Sequence, residues 1–215
     1  MSLCIGDDIL KKLDREFYKR DTLIVAQELL GKILVKKINN QFIMGRIVEV
    51  EAYKGLIDKA AHSYGGKITN RNRIMYGDGG YAYVFLIYGM YYCMNIVTST
   101  IGNPEAALIR GIEPLDGVNI MSELRFNKSF NDLSKKEKRN LSNGPGKLCL
   151  AFNITKEENG MDMCGDDLYV LDNTMDPMNN INIATSKRIN IDYSEEAKDF
   201  HWRFFIKDNM YVSKG

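Results

Sequence analysis

The longest apolar stretch of the chain, residues 81–97 (YAYVFLIYGMYYCMNIV), limits the fold more than any other segment. It is rich in aromatic and β-branched residues, which favour strands. It is shorter than the ~20 residues of a membrane-spanning helix, and Gly89 and Asn95 interrupt it. The pattern therefore predicts a strand, a sharp turn at Gly89 and a second strand within a soluble protein.

The composition is that of a folded globular protein. Hydrophobic residues make up 45% and charged residues 27% of the 215 positions, with a formal net charge of +1. These values exclude a disordered chain, a collagen and a disulfide-dense miniprotein. Acidic residues precede any apolar run of signal-peptide length, so no export signal is expected. Four cysteines without CxxC spacing and only two histidines argue against a metal centre and favour reduced thiols in a cytosol.

Further patterns predict one mixed α+β domain over residues 1–215, built largely on antiparallel strands. Asp21 is the expected N-cap of a helix that stops at Gly31, and Asn39 and Asn40 suit a tight hairpin turn. No linker rich in Pro, Gly or Ser divides the chain. Residues 1–15 are expected to form a peripheral helix. The other predicted strands are 33–38, 41–53, 106–114, 167–172, 187–192 and 202–206, and further helices are predicted at 115–125 and from Pro145 onward.

Two carboxylates share one face of the predicted strand 41–53. Alternation gives that face four side chains: Ile47, Glu49, Glu51 and Tyr53. Side chains at i and i+2 stand roughly 7 Å apart, a range in which two carboxylates can serve a hydrolytic site. A carboxylate beside an aromatic ring, as Glu51 is beside Tyr53, can be poised to take a proton from water. A solvated strand face is the alternative interpretation.

Tyr88 stands apart from the other aromatic residues of the hairpin. Tyr81, Tyr83 and Phe85 alternate along one strand face, and core packing is the simplest interpretation for Tyr83 and Phe85. Tyr88 lies at the Gly89 turn, where a side chain is difficult to bury. An aromatic wedge at a loop tip is suited to filling a gap in stacked bases through the minor groove.

Positive charge is concentrated in a few segments. Residues 125–147 carry seven basic and two acidic side chains, whereas residues 154–172 carry one basic and six acidic side chains. Arg71 and Arg73 lie in an acid-free cluster with Lys67. Lys147 follows Gly144, Pro145 and Gly146 before a predicted helix, whose free N–H groups can hold a phosphate. Solvated surface segments and an ordinary turn are the alternatives.

His62 has no carboxylate or cysteine at ligand or triad spacing, so ordinary packing is one interpretation. Its Gly-rich loop follows Glu51 and Tyr53 closely, and His62 could line the same pocket. The serines lack a nucleophile-elbow pattern, so serine hydrolase chemistry is unsupported.

Seven segments together resemble the alkyladenine, or 3-methyladenine, DNA glycosylases of the mammalian type. They fall in the family's order and cover nearly the whole chain from about residue 20. The resemblance implies a single α+β domain with a curved, mainly antiparallel sheet and surrounding helices. The segments are VEVEAY (48–53), AAHSYGG (60–66), NRNRIMYG (70–77), YAYVFLIYGMYYCMNI (81–96), AALIRGIEPLDG (106–117), SNGPGKLCLAF (142–152) and WRFFI (202–206).

The resemblance also implies roles for single residues. Glu51 is the expected general base, which activates water for attack on the anomeric carbon of a flipped nucleotide, and Arg110 is expected beside that water and the phosphate. Tyr88 is expected to fill the space left by the flipped base. The remaining expected site residues are Tyr53, His62, Phe85 and Asn95 around the base, Arg71, Arg73, Leu108 and Lys147 along the DNA backbone, and Asp162 as a more distant polar neighbour.

The implied reaction is release of a damaged purine from duplex DNA without strand cleavage. Expected substrates are 3-methyladenine and 7-methylguanine, with hypoxanthine and ethenoadenine as neutral candidates. The resemblance implies no cofactor, no membrane partner and a monomer in the cytoplasm, at the nucleoid if the source is bacterial. The chain departs from the family at Phe85, where a tyrosine is frequent, in a slightly longer loop at 100–105, and at His201, where proline is common.

Two other functions remain open at this point. One is a nucleic-acid-binding protein of the same fold that lacks catalysis, in which Glu51 is incidental. The other is a sugar glycosidase that uses Glu49 and Glu51. Glycosidases place their carboxyls on opposite sides of the scissile bond, which neighbours on one strand face do not achieve easily.

Overall fold

The computed structural model describes residues 3–5, 8–173 and 181–214. They form a two-stranded and an eight-stranded sheet with helices around the larger one. The strands are β1 (Leu3–Ile5), β2 (Asp8–Leu10), β3 (Ile33–Ile38), β4 (Gln41–Tyr53), β5 (Ala82–Ile87), β6 (Tyr91–Thr98), β7 (Glu105–Asp116), β8 (Leu168–Leu171), β9 (Ile183–Ser186) and β10 (Arg203–Ile206). The helices are α1 (Arg15–Tyr18), α2 (Thr22–Glu28), α3 (Val118–Phe126), α4 (Lys135–Arg139) and α5 (Pro145–Ala151).

The large sheet is a curled, antiparallel half-barrel. Its strands follow the order β5-β6-β7-β4-β10-β9, while β3 pairs with β4 and β8. One edge of β4 pairs with β7, and the other edge is divided between β3 and β10. Register shifts in the β4–β7 ladder add local bending, as bulges do. The prediction of an α+β fold with a curved, mainly antiparallel sheet is confirmed.

The two predicted hairpins are present. Asn39 and Asn40 have φ values of 46° and 64° between β3 and β4, and Tyr88 and Gly89 have φ values of 54° and 70° between β5 and β6. Positive φ at both central residues matches the right-handed twist of the flanking strands. The second turn therefore holds Tyr88 at the hairpin tip.

The main core lies between the sheet and helices α2, α3 and α5. Asp21 caps α2 by accepting hydrogen bonds from the N–H groups of Leu23 and Ile24. Ile47 packs in this core with Val50 and Ala52, so its predicted place beside Glu49 was wrong. The bulge between Ile47 and Glu49 interrupts the two-residue alternation on which that prediction depended.

Three predicted elements differ from the structure. The described part of residues 1–15 contains the β1–β2 pair and the start of α1 instead of one peripheral helix, and the backbone at Leu13 bonds to Val170 at the edge of β8. Residues 187–192 are a loop; the last strand pair uses β9 instead. The helix predicted from residue 115 begins at Val118, because β7 extends to Asp116 and Gly117 has φ 67°.

None of the helices in the described residues combines the length and the apolar composition that a membrane span requires.

Candidate active site

Glu49 and Glu51 are both fully buried on β4. The alternative of a solvated strand face is therefore wrong for both. A buried carboxylate is stable only when donors satisfy it, so the partners of each one indicate its role.

Glu51 is held by groups from its own strand, from β7 and from the loop 187–193. The Tyr53 hydroxyl donates to Glu51 Oε2 at 2.8 Å, and the Ile189 N–H donates to Oε1 at 2.8 Å. Arg110 Nη1 lies 3.4 Å from Oε1. Burial and the adjacent Glu51 carboxylate both raise the pKa of Tyr53 well above its ordinary value, so this hydroxyl stays a donor.

Arg110 joins the two carboxylates. Its Nε donates to Glu49 Oε1 at 3.0 Å, while Nη1 faces Glu51. Burial by itself would lower the pKa of Arg110, but the charges of Glu51 and Glu49 raise it above the ordinary value. Gly111 permits this packing, because a Cβ there would lie 2.7 Å from Tyr211 O and 3.2 Å from Glu49 Oε2.

A cavity of about 340 Å³ opens next to this cluster. Tyr53, Arg110 and Ile189 form its wall on the β4 side, and all three contact Glu51 directly behind them. Other lining residues include His62, Arg71, Met75, Tyr83, Phe85, Tyr88, Tyr91, Cys93, Asn95, Leu108, Ile191 and Tyr193. The carboxylate is thus one side chain away from an aromatic, largely apolar cavity.

An aromatic cluster forms one wall of the cavity. The His62 and Phe85 rings meet edge-on with centroids 4.5 Å apart, and Tyr83 lies 5.3 Å from Phe85. His62 Nδ1 and the Tyr83 hydroxyl are 2.8 Å apart. Burial, with a smaller effect from the Arg71 charge, lowers the pKa of His62 to about 4, so its imidazole is neutral near pH 7. The Arg71 guanidinium covers the Phe85 ring at 4.8 Å.

Asn95 and Cys93 are buried in the middle of β6, opposite Tyr83 and Phe85 of β5. The Asn95 amide donates to Tyr83 O at 3.1 Å, which fixes its orientation in the cavity wall. Burial raises the pKa of Cys93 to about 11, so the thiol is protonated at neutral pH. Leu108 pairs with both Glu51 and Asn95 across the sheet and lines the same cavity.

Exposed aromatic side chains surround the mouth of the cavity. Tyr88 is 71% exposed at the hairpin tip, and Tyr193 is 70% exposed on the loop that carries Ile189. Leu86 and Met90 are also exposed beside Tyr88. The mouth of the cavity therefore has exposed aromatic rings that a ligand could cover in place of solvent.

Four of the predicted site residues lie outside the cavity lining: Glu51, directly behind it, and Arg73, Lys147 and Asp162. Arg73 is exposed on the loop next to it. Lys147 donates to Asn140 Oδ1 and Asn143 Oδ1, although its neighbours Pro145 and Gly146 line the cavity. Both carboxylate oxygens of Asp162 accept from Arg15 Nη2, at 2.7 Å each. The structure brings Glu51 together with all the others: Arg110, Tyr53, His62, Phe85, Asn95, Tyr88, Arg71 and Leu108.

The loop 187–193 was missed as a functional segment. Its apolar alternation, KRINID, is typical of a strand, and nothing local indicates that Ile189 N–H meets Glu51. Tyr91 and Tyr193 were also missed, although aromatic residues beside polar ones were an available signal.

The cluster suits acid–base chemistry on a water molecule beside a flat ring system. Glu51 is a buried carboxylate that accepts two hydrogen bonds and lies 3.4 Å from a guanidinium, and the cavity beside it has aromatic walls. Within the described ranges, no group of three or more His, Cys, Asp or Glu side chains could hold a metal ion.

Comparison with known proteins identifies the family. A family model described as methylpurine-DNA glycosylase matches residues 16–210. Three similar proteins carry the name "Putative 3-methyladenine DNA glycosylase". The one from Clostridium novyi is 56% identical over 205 residues, which is 95% of this chain and 100% of the relative. Those from Alkaliphilus oremlandii (55% over 203 residues, 94% and 99%) and Desulfitobacterium hafniense (54% over 204 residues, 95% and 99%) match similarly. The chain therefore belongs to the methylpurine-DNA glycosylase family and is a DNA repair glycosylase of the 3-methyladenine type.

Proposed function

We propose that this glycosylase turns a damaged purine out of duplex DNA into the cavity and hydrolyses its N-glycosidic bond with a water molecule activated by Glu51. One observation carries the proposal: a fully buried carboxylate with three polar partners lies directly behind an aromatic cavity of about 340 Å³. Extrusion is required because the atom to be attacked is inaccessible inside the base stack.

The proposed reaction is a displacement by water. Glu51 takes one proton as the water oxygen forms a bond to the anomeric carbon, and the electrons of the broken C–N bond leave with the base. The products are a free purine and an abasic sugar. Because the nucleophile is water and not a lysine amine, the enzyme is monofunctional and leaves the strand uncut.

The cavity walls favour cationic purines. The face of an aromatic ring attracts positive charge, and N-alkylated purines such as 3-methyladenine and 7-methylguanine are cationic and leave readily. Hypoxanthine and ethenoadenine are neutral and need a proton as they leave. His62, with its pKa lowered to about 4, is a poor source of that proton at neutral pH. We therefore rank cationic lesions ahead of neutral ones.

The DNA contacts follow from the mouth of the cavity. Tyr88 is the proposed wedge, since its ring is exposed at a turn that holds it away from the sheet. Arg71, Arg73 and Lys147, with Leu108 near the flipped strand, are proposed to follow the DNA backbone, while Asn95 excludes undamaged purines. The proposal takes a monomer with a single domain as the acting unit.

An excision panel tests this proposal. Duplexes with 3-methyladenine, 7-methylguanine, hypoxanthine or ethenoadenine should lose the cationic bases fastest, and the strand should break only after hot alkali. Glu51→Gln should bind the same duplexes and release the base about 10²–10⁴-fold more slowly. If the wild-type protein binds every duplex and releases nothing, the chain is a binding protein in which Glu51 is incidental.

The wedge has its own test. Tyr88→Ala should weaken binding to lesion duplexes by about tenfold, because unstacking a base step costs a few kcal/mol that the ring no longer offsets. Met90→Ala, an exposed apolar neighbour on the same turn, is the matched control and should have little effect. Equal losses on undamaged and lesion DNA would contradict the wedge role.

A further inference from the structure

Arg188 and Asp58 form a fully buried ion pair behind the active-site wall. Arg188 Nη1 lies 2.5 Å from Asp58 Oδ2, and Nη2 lies 2.8 Å from Oδ1. A buried ion pair is weak support for stability, because desolvation of both charges offsets much of their attraction. The position of the pair is therefore better evidence of its role than its contribution to stability.

The pair joins three segments that surround Glu51. Arg188 also donates to Ala52 O at 3.0 Å, on β4 between Glu51 and Tyr53, and to Ala197 O at 3.2 Å. Asp58 accepts the N–H groups of Lys54 and Ala60 at 3.1 and 3.0 Å. The end of β4, the loop 54–60 and the loop 187–197 are thus tied to one guanidinium–carboxylate unit.

Two of the three partners of Glu51 lie next to this unit. Ile189, whose N–H donates to Glu51, is the residue after Arg188. The Arg188 guanidinium lies 4.7 Å from the centroid of the Tyr53 ring, and the Tyr53 hydroxyl donates to the other oxygen of Glu51. The third partner, Arg110, is fixed separately by Glu49.

We propose that the Arg188–Asp58 pair is a positioning device for the general base: it holds Ile189 N–H and the Tyr53 hydroxyl on Glu51. This inference rests on the proposed function of Glu51. The pair does not line the cavity and acts only through its neighbours. The groups that face Glu51 are Glu49 and Tyr53 on its own strand, Arg110 on β7, Cys93 on β6 and the loop that follows Arg188.

The test uses Arg188→Lys and Asp58→Asn in the full-length protein. Single-turnover release of 7-methylguanine should fall by about 10- to 100-fold, because small displacements of a catalytic group have effects of that size. The acid-side midpoint of the pH–rate profile should move to higher pH, since an ionised carboxylate that loses donors is harder to maintain. Lesion-DNA affinity should stay close to that of the wild type.

Lys36→Met is the matched control for stability. Lys36 and Glu158 also form a buried ion pair, which lies away from the cavity on β3. This control should lower the melting temperature without moving the pH–rate profile. If Arg188→Lys and Asp58→Asn behave in the same way, the pair is only structural and the proposal is wrong.

A double variant separates this proposal from the proposed function. With Glu51→Gln present, Arg188→Lys should reduce the residual rate no further, because both act through one carboxylate. Independent losses that multiply would overturn the positioning role. If Glu51→Gln alone retains wild-type excision, the proposed function fails, whatever Arg188→Lys does.

Discussion

Glu49 and Glu51 are two residues apart on one strand and equally buried, yet their surroundings differ. Glu49 accepts hydrogen bonds from Arg110 Nε, Arg203 Nε and both the N–H and hydroxyl of Ser213, at 2.7–3.0 Å. Glu51 is contacted by Tyr53, Ile189 and, at 3.4 Å, Arg110, which all line the cavity. What packs over a carboxylate, and not its place on the strand, separates a structural counter-charge from a candidate base.

The largest effect on the excision rate is expected for a substitution of Glu51, the candidate base. Glu51→Gln should reduce single-turnover excision by about 10²–10⁴-fold, the range in which general bases contribute. Arg110 keeps Glu49 as its buried counter-charge in this variant, so the thermal unfolding midpoint should fall less than in Glu49→Gln. A rate within threefold of the wild type would remove the distinction between the two carboxylates.

Glu49→Gln should act mainly on stability. It leaves Arg110 and Arg203 without their buried counter-charge, and breaking such a pair destabilises a protein by about 3–5 kcal/mol. Urea unfolding followed by circular dichroism measures this loss. Excision by the folded fraction should fall less than in Glu51→Gln. A larger catalytic loss than stability loss would assign Glu49 a direct role.

Single donors sharpen the comparison. Tyr53→Phe removes one hydrogen bond to Glu51 and should slow excision by about tenfold or more, since a hydrogen bond to a charged group contributes about 1.5–3 kcal/mol. Ser213→Ala removes one of four donors to Glu49 and should lower the free energy of unfolding by about 1 kcal/mol, with a nearly normal rate. Single-turnover assays and urea titrations on both variants would detect a reversed pattern.

The smallest expected effect is on the pH dependence of stability that is linked to His62. The pKa of His62 is lowered from 6.5 to about 4, so the unfolded chain binds the proton more readily between those values. The stability linked to neutral His62 is present above pH 6.5 and is lost as the pH falls toward 4. His62→Gln should flatten the melting temperature across this window and leave the acid limb of excision in place. An unchanged pH dependence of melting would place the titration elsewhere.

The sequence by itself determined the local features of this protein. Alternation and turn chemistry predicted the hairpins at Asn39 and Gly89, the strand that carries Glu51 and Tyr53, and the helix that starts at Pro145. Each of these features depends on residues that are close together in the sequence. The ordered motifs also indicated the family, and the family model that matches residues 16–210 confirms it.

Only the tertiary structure decided which carboxylate lies directly behind the cavity wall and what holds it. Ile189 reaches Glu51 across 138 positions of the sequence, and Ser213 reaches Glu49 across 164. The segment 187–192 resembles a strand because polar and apolar residues alternate along it. In the structure β9 occupies the sheet edge instead, and this segment is a loop over the site. The local sequence pattern predicts the face of the strand on which a side chain lies. Which groups contact that side chain depends on the packing of distant segments.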